Sequence, residues 1–189
     1  MRRKISQALK RELNRRIKAE FPEFKQDVSL HRKVNQAIKK VLKIRMKEHF
    51  SEYRIVKHER LPPGSTAWCC VKGSLWLVVI YHPSDKWESF TIELAWSRKN
   101  QFPDYILSLP KEFEDDGLIR LGHLSEGRDF WWMLEDKAPV EEFDPMAFLN
   151  EPPVDEWLAR VEPTVDDAMK NLIQFGLPFF QKVEACYSD

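Results

Sequence analysis

Thr66-Ala67-Trp68-Cys69-Cys70-Val71-Lys72-Gly73-Ser74-Leu75-Trp76-Leu77-Val78-Val79-Ile80-Tyr81 is the stretch that decides the fold. Thr66 to Val71 and Leu75 to Tyr81 are dense in β-branched and aromatic residues, which suit a pleated, buried surface. Lys72-Gly73 between them has the glycine-containing form of a tight hairpin. A pair of antiparallel strands is therefore expected at the centre of the chain.

On the C-terminal side, His82-Pro83-Ser84-Asp85 reads as the next turn, and Trp87 to Trp96 alternates. Phe90, Ile92, Leu94 and Trp96 fall on one side, and Ser89, Thr91, Glu93 and Ala95 on the other, so one face is core and the other is wet or lines something. Glu93 is expected on the exposed face. Lys111 to Gly117 is an acidic, solvated loop before a short strand over Leu118 to Leu124. Ser125-Glu126-Gly127-Arg128 turns the chain into a further strand from Asp129 to Leu134. On the N-terminal side, Leu61-Pro62-Pro63-Gly64 is a stiff turn that separates a strand over Tyr53 to His58 from Thr66.

Helical periodicity brackets this sheet. Ile5, Leu9, Leu13, Ile17 and Phe21 stand four apart and form one apolar stripe, which Pro22 stops. After a turn over Glu23 to Val28, Ser29 is the expected N-cap of a second helix with Val34, Ala37, Ile38, Val41 and Leu42 inward. Residues 136 to 153, with Pro139, Pro145, Pro152 and Pro153, read as an irregular surface connection. Thr164 with Asp167 three residues on approximates a capping box, so a C-terminal helix is expected from there. Gly176 and Pro178 should end it, with Phe179, Phe180 and Val183 continuing the core in a short final helix.

The fold class that follows is α+β: an antiparallel sheet of about four to six strands packed against N- and C-terminal helices. The 189 residues form one domain, made of a basic helical pair (1–50), a sheet (51–135) and an acidic connection with C-terminal helices (136–189). A chain of this length buries roughly 70% of its unfolded surface, so stability needs no metal or disulfide staple. The longest apolar run, Leu75 to Tyr81, is far short of the roughly 20 residues that cross a bilayer. Met1-Arg2-Arg3-Lys4 is basic but lacks the apolar stretch of a secretory signal. Cys69, Cys70 and Cys186 are an odd set with two adjacent members, read as reduced thiols. A cytoplasmic protein without a membrane segment is expected.

Net charge is zero, but it is unevenly spread. Residues 1–50 carry 16 Lys+Arg against 5 Asp+Glu, and residues 51–189 carry 14 against 25. The two parts can pack against each other and cancel their fields, or the basic part can recruit an anionic partner. Lys39, Lys40 and Lys43 are the phosphate-binding candidates on the second helix. Any such binding would be backbone-directed and salt-sensitive.

Motifs for familiar chemistry are missing: the chain has no phosphate-cradling glycine loop, no His-Glu-x-x-His, no Cys-x-x-Cys and no Gly-x-Ser-x-Gly. The five histidines lack metal-ligand spacing, and no cofactor or metal is expected. Asp85, Glu93 and Lys99 suggest a nuclease, but the residue two beyond Glu93 is Ala95 where a lysine would be needed. Arg120, His123, Asp129, Trp131 and Trp132 gather where two short strands should pair. Consecutive tryptophans point to opposite faces of a strand, so one should enter the core and the other reach the opposite surface. There it could anchor a protein partner or stack on a base or ring, whereas burial of both tryptophans between helix and sheet is the structural reading. An Arg120–Asp129 ion pair bracing the hairpin is the structural reading of those charges.

Phe90-Thr91-Ile92-Glu93-Leu94-Ala95-Trp96, Ile119-Arg120-Leu121-Gly122-His123-Leu124 and Asp129-Phe130-Trp131-Trp132 together resemble a family of small bacterial α+β proteins of unknown function. Gly176-Leu177-Pro178-Phe179-Phe180 is similar to that family's closing segment. The resemblance implies an antiparallel sheet between N- and C-terminal helices, and no activity. On the residues themselves, the expected function is a non-catalytic protein-interaction module with an unidentified protein partner. Neutralising that partner, as bacterial immunity proteins do, is one concrete form. A nucleic-acid-binding protein using the basic helices is the alternative, and an enzyme with an unfamiliar site near Glu93 or His123 is a third.

Overall fold

The computed structural model describes residues 22–84, 89–103, 115–134 and 154–187. The expected first helix, residues 111–114 of the acidic loop and the proline-rich connection lie outside those residues, and the loop's last two residues, Asp116 and Gly117, are buried and belong to a strand. A helix α1 (Pro22–His49) leads into five strands, β1 (Arg54–Val56), β2 (Thr66–Lys72), β3 (Leu75–Pro83), β4 (Ser89–Ser97) and β5 (Asp116–Arg120). A short helix α2 (Leu121–Ser125), strand β6 (Trp132–Met133), helix α3 (Val154–Asn171), a π-helical turn (Leu172–Gly176) and helix α4 (Leu177–Tyr187) follow. The sheet is antiparallel throughout, with order β1-β2-β3-β4-β5 and β6 also paired to β4. The architecture is α+β, with α3 packed against α1.

The central hairpin forms as expected, one residue later than its turn was placed. Lys72 pairs with Leu75, so Gly73-Ser74 is the two-residue loop, and Gly73 takes a φ of 62° that suits glycine. β3 continues through His82 and Pro83, which the sequence reading gave to a turn. β4 is buried along its whole length, because it lies between β3 on one side and β5 and β6 on the other.

Alternation along these strands sorts two apolar clusters. Trp68, Leu77, Val79, Tyr81, Phe90, Ile92, Leu94 and Trp96 meet the helices, through Val34, Ile38, Leu42 and Met46 of α1 and Val161, Val165, Met169 and Phe180 from the C-terminal part. The opposite face is not wet. Ala67, Cys69, Val78, Ile80, Ala95 and Leu118 form a second cluster there under Phe102, with Val56, Leu61 and Trp76 alongside.

Three predicted helix boundaries are corrected. Ser29 lies inside α1, which runs 28 residues from Pro22; proline suits a first helical position because its missing N–H is unneeded there. α3 begins at Val154, ten residues before Thr164, and carries Pro163 in its interior. Burial of Trp157 and Val161 against the core outweighs the lost hydrogen bond at that proline. Gly176 and Pro178 do not end the helix either. The Leu177 N–H donates to the Leu172 carbonyl, a wider i→i−5 turn, just where Pro178 has no N–H to give. Gly176 is set by close packing, since a Cβ there would come within 2.7 Å of Leu172 Cδ1 and 3.3 Å of Leu94 Cδ1.

The strand expected over Leu118 to Leu124 ends at Arg120, and only Trp132-Met133 of Asp129 to Leu134 is strand. Glu93 pairs with Arg120, so unbroken register would bring residue 123 opposite Phe90, yet Trp132 stands there. Nine residues are thus inserted into one edge strand and fold outward as α2 and the turn to Phe130. Gly122 permits it, because a Cβ would lie 2.5 Å from Phe130 Cβ.

Candidate functional site

The insertion assembles a polar cluster on the second face of the sheet. His82 and Thr91 are cross-strand partners, as are Ile80 and Glu93 in the next row and Glu93 and Arg120 beyond it. Side chains two apart on β4 share a face, so Thr91 and Glu93 join His82 and Arg120 there. Thr91 Oγ1 donates to the Phe130 carbonyl at 3.1 Å, which ties the exit of the insertion to β4. That bond delivers Asp129 and Trp131 to the same place.

Glu93 is fully buried rather than exposed as the alternation suggested. Arg120 Nε donates to its Oε1 at 3.2 Å, and His82 Nδ1 lies 3.4 Å from the same oxygen. A carboxylate in such a position persists only with charged or hydrogen-bonded company. Arg120 also donates from Nη1 to Asp129 Oδ2, so the expected Arg120–Asp129 pair is present with a buried third member. Burial acts to lower the Arg120 pKa, but the hydrogen bond to Glu93 and the charges of Asp129 and Glu93 outweigh it and raise it. The guanidinium is a permanent cation in this setting.

Trp131 covers the cluster. Its ring centroid is 5.3 Å from Arg120 Cζ and 5.9 Å from the His82 ring, edge to face, and the residue is half-buried. Met133, two residues on and 55% exposed, lies on the same side of the β6 edge. Trp132 points the other way into the core: it stacks on Phe90 at 5.8 Å, meets Phe130 edge-on at 5.1 Å and donates Nε1–H to Asp167 at 2.9 Å. It is a packing residue that locks α3 to the sheet, and Asp167 serves it instead of a helix cap. His123 sits half-buried on α2 and makes no ion pair with the Glu93 cluster. The structure thus joins Arg120, Asp129 and Trp131, adds Glu93 and His82, and leaves Trp132 and His123 outside.

The three lysines of α1 separate as well. Lys40 and Lys43 are exposed, whereas Lys39 is half-buried with Nζ 5.8 Å from the Tyr81 ring centroid, and burial lowers its pKa. The acidic part of the chain reaches α1 at Arg45, through Asp166 at 2.7 Å and Glu162 at 2.6 Å. An open groove of about 500 Å³ lies beside this junction, floored by Met169 and Ile173 and rimmed by Arg45, Lys170, Glu48 and Asp166. Its charges largely neutralise one another.

Cys69 and Cys70 are buried free thiols and Cys186 is an exposed one. Among the described residues no three His, Cys, Asp or Glu side chains come together as metal ligands, and no helix is long and apolar enough to cross a membrane. Lys99 pairs with Asp116 at 2.8 Å rather than with Glu93, so two of the three residues that prompted a nuclease reading lie in separate ion pairs, and Asp85 lies outside the described residues. No protein-family model, curated protein or solved structure matches the chain.

Proposed function

We propose that the protein is a non-catalytic protein-interaction module, immunity-like in that it would act by occupying a partner protein, and that it works in the cytoplasm. The observation that carries this reading is the mounting of Trp131. The ring is held by Arg120 and His82, which are themselves anchored to buried Glu93, and it sits beside exposed Met133 on an edge strand. A large apolar side chain whose rotamer is already fixed loses little entropy on binding, and tryptophan beside arginine is enriched at interface hot spots. The exposed Asp129 and Arg128 would supply a polar rim. The free thiols accord with a reducing compartment.

The test is a photo-crosslinking side chain placed at position 133 and, in a second protein, at position 55. Ile55 is 47% exposed on β1 at the opposite edge of the sheet. The reading predicts one discrete protein adduct from position 133 in cells and none from position 55. Equal labelling from both, or no adduct from 133, would contradict it.

A further inference from the structure

We infer that the solvent face of α1, built from Arg32, Lys40, Lys43 and Lys47, binds the phosphate backbone of duplex DNA. All four side chains are exposed, and they recur at helical spacing on the side away from the buried stripe of Val34, Ile38 and Leu42. No described acid pairs with any of them. Arg45, which Asp166 and Glu162 neutralise, is turned toward α3, and Glu48 on α1 is within its reach at 3.5 Å. Among the described side chains the face is therefore of one sign, whereas an ordinary solvated helix alternates acids and bases at i and i+4. Lys43 and Lys47 are an i, i+4 pair of like charge, a repulsion that a bound polyanion would relieve.

Duplex DNA is the occupant that this chemistry favours. Lys40, Lys43 and Lys47 rise about 4.5 and 6 Å along the helix axis, of the same order as the ~3.4 Å step between charges on one strand. Single strands are gripped by aromatic platforms on which bases stack, and the described exposed positions of α1 include no Phe, Tyr or Trp. An interfacial membrane helix needs a broad apolar face, and among the described side chains of α1 the solvent side offers only Ile44 as a large apolar residue, 47% exposed. Without base-reading side chains, recognition would be independent of sequence and strongly salt-dependent.

The experiment measures binding of the full chain to a short labelled duplex between about 50 and 200 mM salt. Single-stranded DNA, duplex RNA, anionic phospholipid vesicles and poly-L-glutamate are tested in parallel. The triple variant Lys40→Glu, Lys43→Glu, Lys47→Glu is compared with Lys57→Glu, Lys170→Glu, Lys182→Glu, which changes the net charge equally at exposed positions on other elements. We expect duplex DNA to bind best, with log K falling on log salt at a slope of about −3 to −4. The α1 triple should lose about tenfold or more in affinity and flatten that slope by about 3, while the control triple stays within about threefold of the parent protein. Circular dichroism establishes that both variants are folded. No duplex binding at the lowest salt, equal losses in the two triples, or tighter binding to any of the other probes would overturn the inference.

Discussion

Arg120 Nε meets Glu93 Oε1 at 3.2 Å across directly opposed positions of β5 and β4, with Glu93 wholly buried and Arg120 still 23% exposed. The pair stands where the edge strand breaks and nine residues are inserted, so it holds the base of the segment that carries Asp129 and Trp131. Removing one partner strands a charge, whereas replacing both removes the problem. Arg120→Ala should therefore cost about 3 kcal/mol, while Glu93→Leu with Arg120→Met should fall much closer to the parent protein. Urea unfolding of Glu93→Leu, Arg120→Met and the double variant measures this coupling; additive losses would mean the two side chains act independently.

Trp96 and Gly117 are also cross-strand partners, and a Cβ on Gly117 would lie 2.2 Å from Trp96 Cζ2. Trp96 cannot easily yield, being 2% exposed and edge-on to Phe179. Gly117→Ala should lower stability by about 1–3 kcal/mol. Thermal unfolding checks it, and an unchanged Tm would show that the ring has room to move.

Alkaline pH should destabilise the fold. Burial pushes the Cys69 thiol up to about 11 from its ordinary 9.0, and burial likewise raises Cys70, Tyr53 and Tyr81. Each group holds its proton more tightly folded than unfolded. This stabilisation is complete below the unfolded values and is lost as pH rises through the folded ones, so Tm should fall from about pH 9 upward. Near pH 8, alkylation of the native protein should modify Cys186 and spare Cys69 and Cys70, with all three reacting in denaturant; mass spectrometry counts the adducts.

The paired tryptophans should respond unequally. Trp132→Ala removes a core side chain and leaves Asp167 without its donor, at a cost of about 3–5 kcal/mol. Trp131→Ala removes a half-buried ring that rests on Arg120 and His82, and should cost about 1–2 kcal/mol, reflecting partial loss of burial and of the cation–π contact. Equal losses would place Trp131 in the core as a stability residue.

The central hairpin could be read from sequence because Leu75 to Tyr81, buried on both faces, is dense in β-branched and aromatic residues around a glycine turn, and the inward stripe of α1 because burial on one face imposes a period of 3.6 from Val34 to Leu42. Helix ends were not legible. Ser29 and Thr164 are good caps by chemistry, but a helix continues through a capping residue when its flanks bury apolar surface, as Trp157 and Val161 do. Gly176 and Pro178 look like stop signals, yet a close approach to Leu94 and one wide turn accommodate both. In the candidate site, Arg120, Asp129 and Trp131 were found because charge and aromatic residues cluster in one short segment. Glu93 was expected on the exposed face and His82 in a turn, because only the pairing register brings them to this cluster. The signal for Glu93 was its place in the most apolar stretch of the chain, opposite an arginine.

The account turns on whether the surface mounted at Trp131 is what a partner protein grips. Affinity capture from cells with the parent protein, Trp131→Ala and Met133→Ser, each shown to be folded and quantified by mass spectrometry, tests this most directly. One protein recovered in near-stoichiometric amount with the parent and reduced at least about tenfold by Trp131→Ala, with a smaller reduction by Met133→Ser, is the result predicted. Recovery of the same partner in equal amount by all three proteins, or of none by the parent, would contradict it.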